Sequence, residues 1–163
     1  YVGMNCQWLV EEFGIELSII DWETVKYLDK NGFEIGSHSM THPYLADLPP
    51  DACYKELIDS RLALEENLGR KVEHLAYPYG SFNKEVRDLA EKAGYSMACL
   101  DVPGFVSLDM DALMLPRINI GSDDSTVDFI MKLYTAHRFW SYLHVKYLGL
   151  MRRITKVLNM HTK

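Results

Sequence analysis

A chain of 163 residues, 48% of them apolar, has room for one domain with a real core, since folded chains of this size bury roughly 70% of their extended surface. A net charge of −6 argues against a broad nucleic-acid-binding face, and no stretch approaches the ~20 consecutive apolar residues of a membrane span. Three cysteines, Cys6, Cys53 and Cys99, odd in number and outside any CxxC pattern, suggest neither a disulfide framework nor a zinc ribbon and read as reduced thiols.

Residues 1–10 lack the basic start and apolar run of a signal peptide, and a chain that opens at Tyr1 rather than at Met is expected to be a fragment that continues upstream. The first predicted helix runs from Asp21, a cap, to about Lys30, with Trp22, Val25, Leu28 and Tyr27 as its buried face and Asn31-Gly32 as its stop. Phe33–Gly36 then reads as a short strand. A helix over Pro50–Leu68 carries Cys53, Leu57, Ile58, Arg61, Leu64 and Leu68 at spacings of three and four, and Gly69 closes it. Val72–Tyr77 reads as a strand ending in the turn Pro78-Tyr79-Gly80-Ser81, and Asn83–Ala93 as a helix stopped by Gly94. Tyr95–Leu100 is the next strand, Leu113–Ile120 another despite Pro116, and Ser125–Tyr134 a helix capped by Ser125. Strands alternating with helices predict an α/β domain.

Charge marks off the last segment, because residues 1–128 hold all 23 acids against 10 bases, a balance of −13, whereas residues 129–163 hold 7 bases and no acid, a balance of +7. Over Leu133–Leu158 the residues Leu133, Trp140, Leu143, Tyr147, Met151, Ile154 and Leu158 fall near one helical face, with basic side chains around the others. Such a basic amphipathic helix either packs on the domain or on a second copy, or lies on an anionic membrane surface.

Gly36–Pro43 is the stretch best suited to chemistry. It places His38 and His42 four residues apart in a small, polar turn at the carboxyl end of a predicted strand, where α/β folds carry their sites. Imidazole is the commonest protein ligand of a catalytic divalent cation, although a pair at this spacing also suits hydrogen-bonded core histidines. The hydroxyls of Ser37, Ser39 and Thr41 favour the metal, because ligating imidazoles need partners that orient them. Two more segments join this one at strand ends: Tyr77-Pro78-Tyr79-Gly80, and Pro116-Arg117-Ile118-Asn119.

From Asn31 to Leu45 the sequence Asn-Gly-Phe-Glu-Ile-Gly-Ser-His-Ser-Met-Thr-His-Pro-Tyr-Leu resembles the metal-binding signature of the polysaccharide deacetylases, carbohydrate esterases that include chitooligosaccharide and peptidoglycan deacetylases. Leu75–Gly80 is similar to that family's substrate-groove motif, Ala93-Gly94-Tyr95 to its helix-to-strand joint, and Leu115–Ile118 to its late arginine motif. Tyr1-Val2-Gly3 and Ile20-Asp21-Trp22 match segments that precede the histidine signature, so the resemblance spans about residues 1–134. It implies a distorted (β/α) barrel lacking its first strand or strands, followed by the basic helix over residues 135–163.

The resemblance further implies that His38 and His42 are ligands to a divalent metal, zinc first, with cobalt or nickel as alternatives. It makes the Tyr79 backbone N–H an oxyanion donor, Pro78 and Tyr79 a wall of the substrate groove, and Arg117 the residue that holds a carboxylate base ionised. The implied activity is hydrolysis of N-acetyl groups on an amino-sugar polysaccharide or oligosaccharide. The alternative is a degenerate carbohydrate-binding module.

Departures from the family pattern are specific. Its paired aspartates, one the base and one a third ligand, have no counterpart near Tyr1 and are expected upstream, so this fragment alone is expected to be inactive or nearly so. Asp123-Asp124 reads as a solvated cap, and Ala76 stands where many members carry arginine. For the closing histidine, His137, His144 and His161 are weak candidates in the basic tail, and His74 reads as structural. A barrel without its first strand is expected to expose an unpaired edge, to be met by further residues or by another chain. Placement between cytoplasm and cell envelope stays open.

Overall fold

In the computed structural model, which describes residues 20–136, the Asp21 carboxylate accepts from the Thr24 N–H at 2.8 Å and so caps α1 (Trp22–Lys30). Asn31 and Gly32 end this helix as the sequence predicts. Only Val25 is fully buried along it, and Tyr27, expected inside, is 65% exposed. Phe33–Gly36 does not form a strand. The segment contributes one parallel bridge, Ser37 with Leu75, made by Ser37 N–H to the His74 carbonyl at 2.8 Å and Ala76 N–H to the Ser37 carbonyl at 2.9 Å.

A 3₁₀ turn over Leu45–Asp47 leads to α2 (Pro50–Leu68), where Pro50 occupies the first turn, in which its missing N–H costs nothing. Gly69 closes α2 at φ 68, a left-handed cap whose N–H donates to the Glu65 carbonyl. Cys53, Leu57, Ser60 and Leu64 form the buried stripe, one turn apart. Arg61 lies only partly buried beside it, paired with Glu65 at 3.0 Å and donating to the Ala93 carbonyl.

The predicted strands shorten to β1 (His74–Ala76) and β2 (Met97–Cys99), parallel, with His74 opposite Met97 and Ala76 opposite Cys99. Between them run the turn Pro78–Gly80 and α3 (Lys84–Lys92), capped by the Asn83 side chain accepting from Val86 N–H at 2.9 Å. The strand expected over Leu113–Ile120 is reduced to a parallel bridge between Leu115 and Cys99, and the backbone N–H of Arg117, the next donor on that side, goes to the Val102 carbonyl instead of continuing the ladder. A parallel wall results in chain order: the Ser37 segment, β1, β2, the Leu115 segment. On it packs a core of Leu45, Cys53, Leu57, Leu75, Tyr77, Val86, Ala90, Tyr95, Ala98 and Leu113, with α2 against both α1 and α3.

These elements belong to a first unit that extends to Asp101 and takes in Val106–Leu115; a second unit holds, of the described residues, Val102–Phe105 and residues 116–136. In the second unit Ser125 and Asp128 form a reciprocal capping box for α4 (Thr126–Thr135). Ala136, left-handed at φ 60, ends that helix, so Leu133 and Tyr134 belong to α4 rather than opening the predicted tail helix. Asp124 is not the solvated cap the sequence suggests: its side chain is 2% exposed and paired with Lys132 Nζ at 2.5 Å. The tail beyond Ala136, with its three histidines, and Cys6 lie outside the described residues.

Candidate active site

Ser37 leaves the parallel wall, and within five residues the chain presents two imidazoles. His38 Nδ1–H donates to the Ala76 carbonyl at 2.6 Å, a bond to β1 that fixes the tautomer with its lone pair on Nε2. The turn that follows runs through two left-handed non-glycine residues, Ser39 at φ 65 and His42 at φ 62. Ser39 Oγ accepts from the His42 N–H at 3.0 Å and closes the turn. The rings of His38 and His42 then stand edge to face, 4.9 Å between centroids.

The turn after β1 meets them. Tyr79 is also left-handed, at φ 56, and its ring lies 4.5 Å from that of His42. Tyr44 stacks on Tyr79 at 4.1 Å, nearly parallel, and is itself half exposed. Gly80 must be glycine: at φ 62, an added Cβ would come within 2.9 Å of the Asp101 backbone nitrogen. Left-handed backbone at side-chain-bearing residues costs about 1–3 kcal/mol each and tends to gather at functional sites. Three such residues, Ser39, His42 and Tyr79, gather here.

Burial, and then the neighbouring His38 ring, push the His42 imidazole down to about 4, so it is neutral near pH 7 and carries the lone pair a metal requires. The two histidines therefore fit two positions around a divalent cation. Among the described residues, no cluster of three His, Cys, Asp or Glu side chains completes such a site. Beside His38 lies a cavity of about 260 Å³ lined by Trp22, Val25, Ile35, Met40 and Leu64, with Ser37 and Ser39 at its polar edge.

Of the residues singled out from the sequence, the first unit brings together His38, His42, Pro78 and Tyr79. Arg117 belongs to the second unit, where its N–H donates to the Val102 carbonyl at 3.0 Å. His74 is half-buried, with Nδ1 3.4 Å from a Glu34 carboxylate oxygen. Sequence reasoning missed Tyr44 and two α2 residues, Glu56 and Ser60, that bond to the histidine segment. Tyr44 falls within the run resembling the metal-binding signature; the α2 pair left only a one-turn spacing as a signal.

Paired histidines thus face a left-handed tyrosine turn beside a parallel α/β wall. The polysaccharide deacetylase family model matches residues 4–98, and the chain belongs to that family. The matched span includes His38, His42, Pro78 and Tyr79, and Arg117 lies beyond it. YxkH of Bacillus subtilis (strain 168) is 31% identical over 98 residues, 60% of this chain and 35% of YxkH. PdaC of the same organism, a peptidoglycan-N-acetylmuramic acid deacetylase, is 34% identical over 65 residues, 40% of this chain and 14% of PdaC. The chain thus spans about a third or less of these curated relatives.

Among solved structures, the Streptococcus pyogenes deacetylase PplD, in complex with acetate, superposes with a TM-score of 0.66 at 24% identity, over 76% of this chain and 54% of PplD. A Bacillus cereus polysaccharide deacetylase gives 0.62 at 23% identity, over 78% and 39%. These likenesses show the fold.

Proposed function

We propose that the protein hydrolyses the N-acetyl amide of an amino sugar in a polysaccharide or oligosaccharide, with a divalent metal, zinc first and cobalt or nickel as alternatives, and that its parallel wall is an arc of a distorted (β/α) barrel. The observation that carries this reading is the His38–His42 pair set against the left-handed Tyr79, in a chain of this family.

His38 and His42 are the residues that would hold the cation, His38 through the nitrogen opposite its bond to Ala76. When bound, the cation supplies Lewis-acid polarisation of the acetyl oxygen and eases deprotonation of water. The Tyr79 backbone N–H stabilises the developing oxyanion, a part suited to a turn whose conformation is set before substrate arrives. Pro78, fully buried, anchors that turn, and the Tyr79 ring walls the groove for the sugar. Arg117 keeps a carboxylate base ionised. Water, giving a proton to that carboxylate, adds to the acetyl carbon; the carbon–nitrogen bond then breaks as the sugar nitrogen takes up a proton, leaving acetate and the free amine.

Acetate release from N-acetylated chitooligosaccharides and from peptidoglycan, with and without chelator, tests the reading. Release that falls to background with chelator, returns with zinc and drops at least a hundredfold in His38→Ala supports it. Turnover indifferent to chelator and to that substitution contradicts it, and saccharide binding without any acetate release points instead to a binding module.

A further inference from the structure

Helix α2 grips the histidine segment at two points. Ser60 Oγ lies 2.8 Å from Ser37 Oγ, at the segment's start, inside a buried network with Tyr95 and the Leu57 carbonyl. One turn earlier on the same face, Glu56 reaches the segment's far side: its Oε2 accepts from Met40 N–H at 2.9 Å and Thr41 N–H at 2.8 Å, and its Oε1 from Thr41 Oγ1 at 2.7 Å. Three donors converge on one carboxylate. Hydrogen bonds to an ionised acceptor are roughly twice as strong as neutral ones.

The place where they converge matters more than their sum. Met40 and Thr41 stand between the two left-handed residues Ser39 and His42, and so between the two imidazoles. A non-glycine residue persists in that conformation only where surrounding structure over-determines it. Around His42 the described determinants are Ser39 Oγ on its own N–H and the Glu56 carboxylate on the two amides immediately before it. Released from Glu56, Met40 and Thr41 lose the acceptor that aims both N–H groups the same way, and the turn is free to relax toward right-handed backbone, swinging the His42 ring away from Tyr79 and His38.

We infer that Glu56 is a positioning residue for the metal-binding pair: from α2 it holds the Ser39–His42 turn in the strained conformation that sets the two imidazoles for one cation. The inference rests on the reading that His38 and His42 bind a metal. Glu56 touches no reacting atom; it acts through His42.

The test is NMR on the full chain, unsubstituted and as Glu56→Ala, Glu56→Gln and Thr41→Val, with two readouts. The first is the dissociation constant for Zn(II), followed at the His38 and His42 ring resonances. The second, in metal-free protein, is the set of NOEs between the His42 and Tyr79 rings, whose centroids are 4.5 Å apart. Outer residues that orient a ligand typically change metal affinity 10–100-fold. We expect Glu56→Ala to weaken zinc at least tenfold and lose the ring NOEs while β1–β2 NOEs persist. Glu56→Gln, which keeps an oxygen acceptor, should recover most of the affinity, and Thr41→Val should fall between. If Glu56→Ala lowers only the melting temperature, with zinc affinity and ring NOEs as in the unsubstituted chain, Glu56 is a structural tether and the inference fails. If the unsubstituted chain takes no zinc at the pair, the metal reading fails, and the NOEs alone then decide whether Glu56 sets the turn. A Glu56→Ala variant that does not fold leaves the decision to Glu56→Gln and Thr41→Val: unchanged affinity and NOEs in both overturn the inference.

Discussion

The depressed His42 imidazole, held near 4 by burial and by His38 against an ordinary 6.5, makes the metal-free protein sensitive to acid. Unfolded chains take up this proton near 6.5 and folded ones only near 4, so within that window the unfolded state binds more protons and stability falls as pH drops through it. Urea midpoints of the metal-free protein should decrease from pH 7 to pH 5, and His42→Asn should flatten that part of the profile; equal slopes with and without His42 would contradict the account. Gly80→Ala should destabilise by about 1–3 kcal/mol, since it combines a left-handed backbone with a clash against Asp101. Gly32→Ala, at φ 86 with open space around it, should cost less in the same urea titration. Equal losses would remove the case for close approach at Gly80. His38 and His42 lie in a run of small polar residues, and Pro78 and Tyr79 in a turn marked by proline and glycine, so both turns were legible in the sequence, while the family resemblance alone gave Pro78 and Tyr79 a part in a site. Glu56 was not, because its meaning depends on a contact across 15 residues that no local pattern announces.

Helices were the best-read elements, and for a local reason: their caps are written in the sequence. Asp21 and Ser125, read as caps, and Asn83, read as the first residue of its helix, each accept from the backbone N–H of the third helical residue. Asn83→Ala should cost about 1 kcal/mol, read as a shift in thermal midpoint, and an unchanged midpoint would argue that packing of Val86 and Ala90 alone holds α3. Strands were over-read. Apolar runs marked the right places, but a strand exists only as far as its neighbour pairs with it, and here pairing lasts three residues on β1 and β2 and a single bridge at Ser37 and Leu115. Arg61, placed by periodicity on the buried face of α2, instead lies partly buried beside it, where Glu65 and the Ala93 carbonyl satisfy its guanidinium.

Across the whole molecule, α/β order, parallel wall and family all agree with the sequence, whereas Asp124 shows how charge can mislead. Two adjacent aspartates in a Gly-Ser turn read as solvated, yet Asp124 is buried against Lys132, a pairing between residues 8 apart that brings the turn onto α4. Among the described residues no helix is long and apolar enough to cross a membrane. The charge segregation noted in the sequence belongs mostly to the tail outside the described residues, but the acidic first part is the one that carries the histidine pair. The most direct test of the central claim is calorimetric titration of the metal-free protein with Zn(II), comparing it with His38→Ala and His42→Ala. One ion per chain, with binding lost or weakened at least a hundredfold in both variants, is the predicted result; both variants binding zinc as the unsubstituted chain does would contradict a metal held by these two imidazoles.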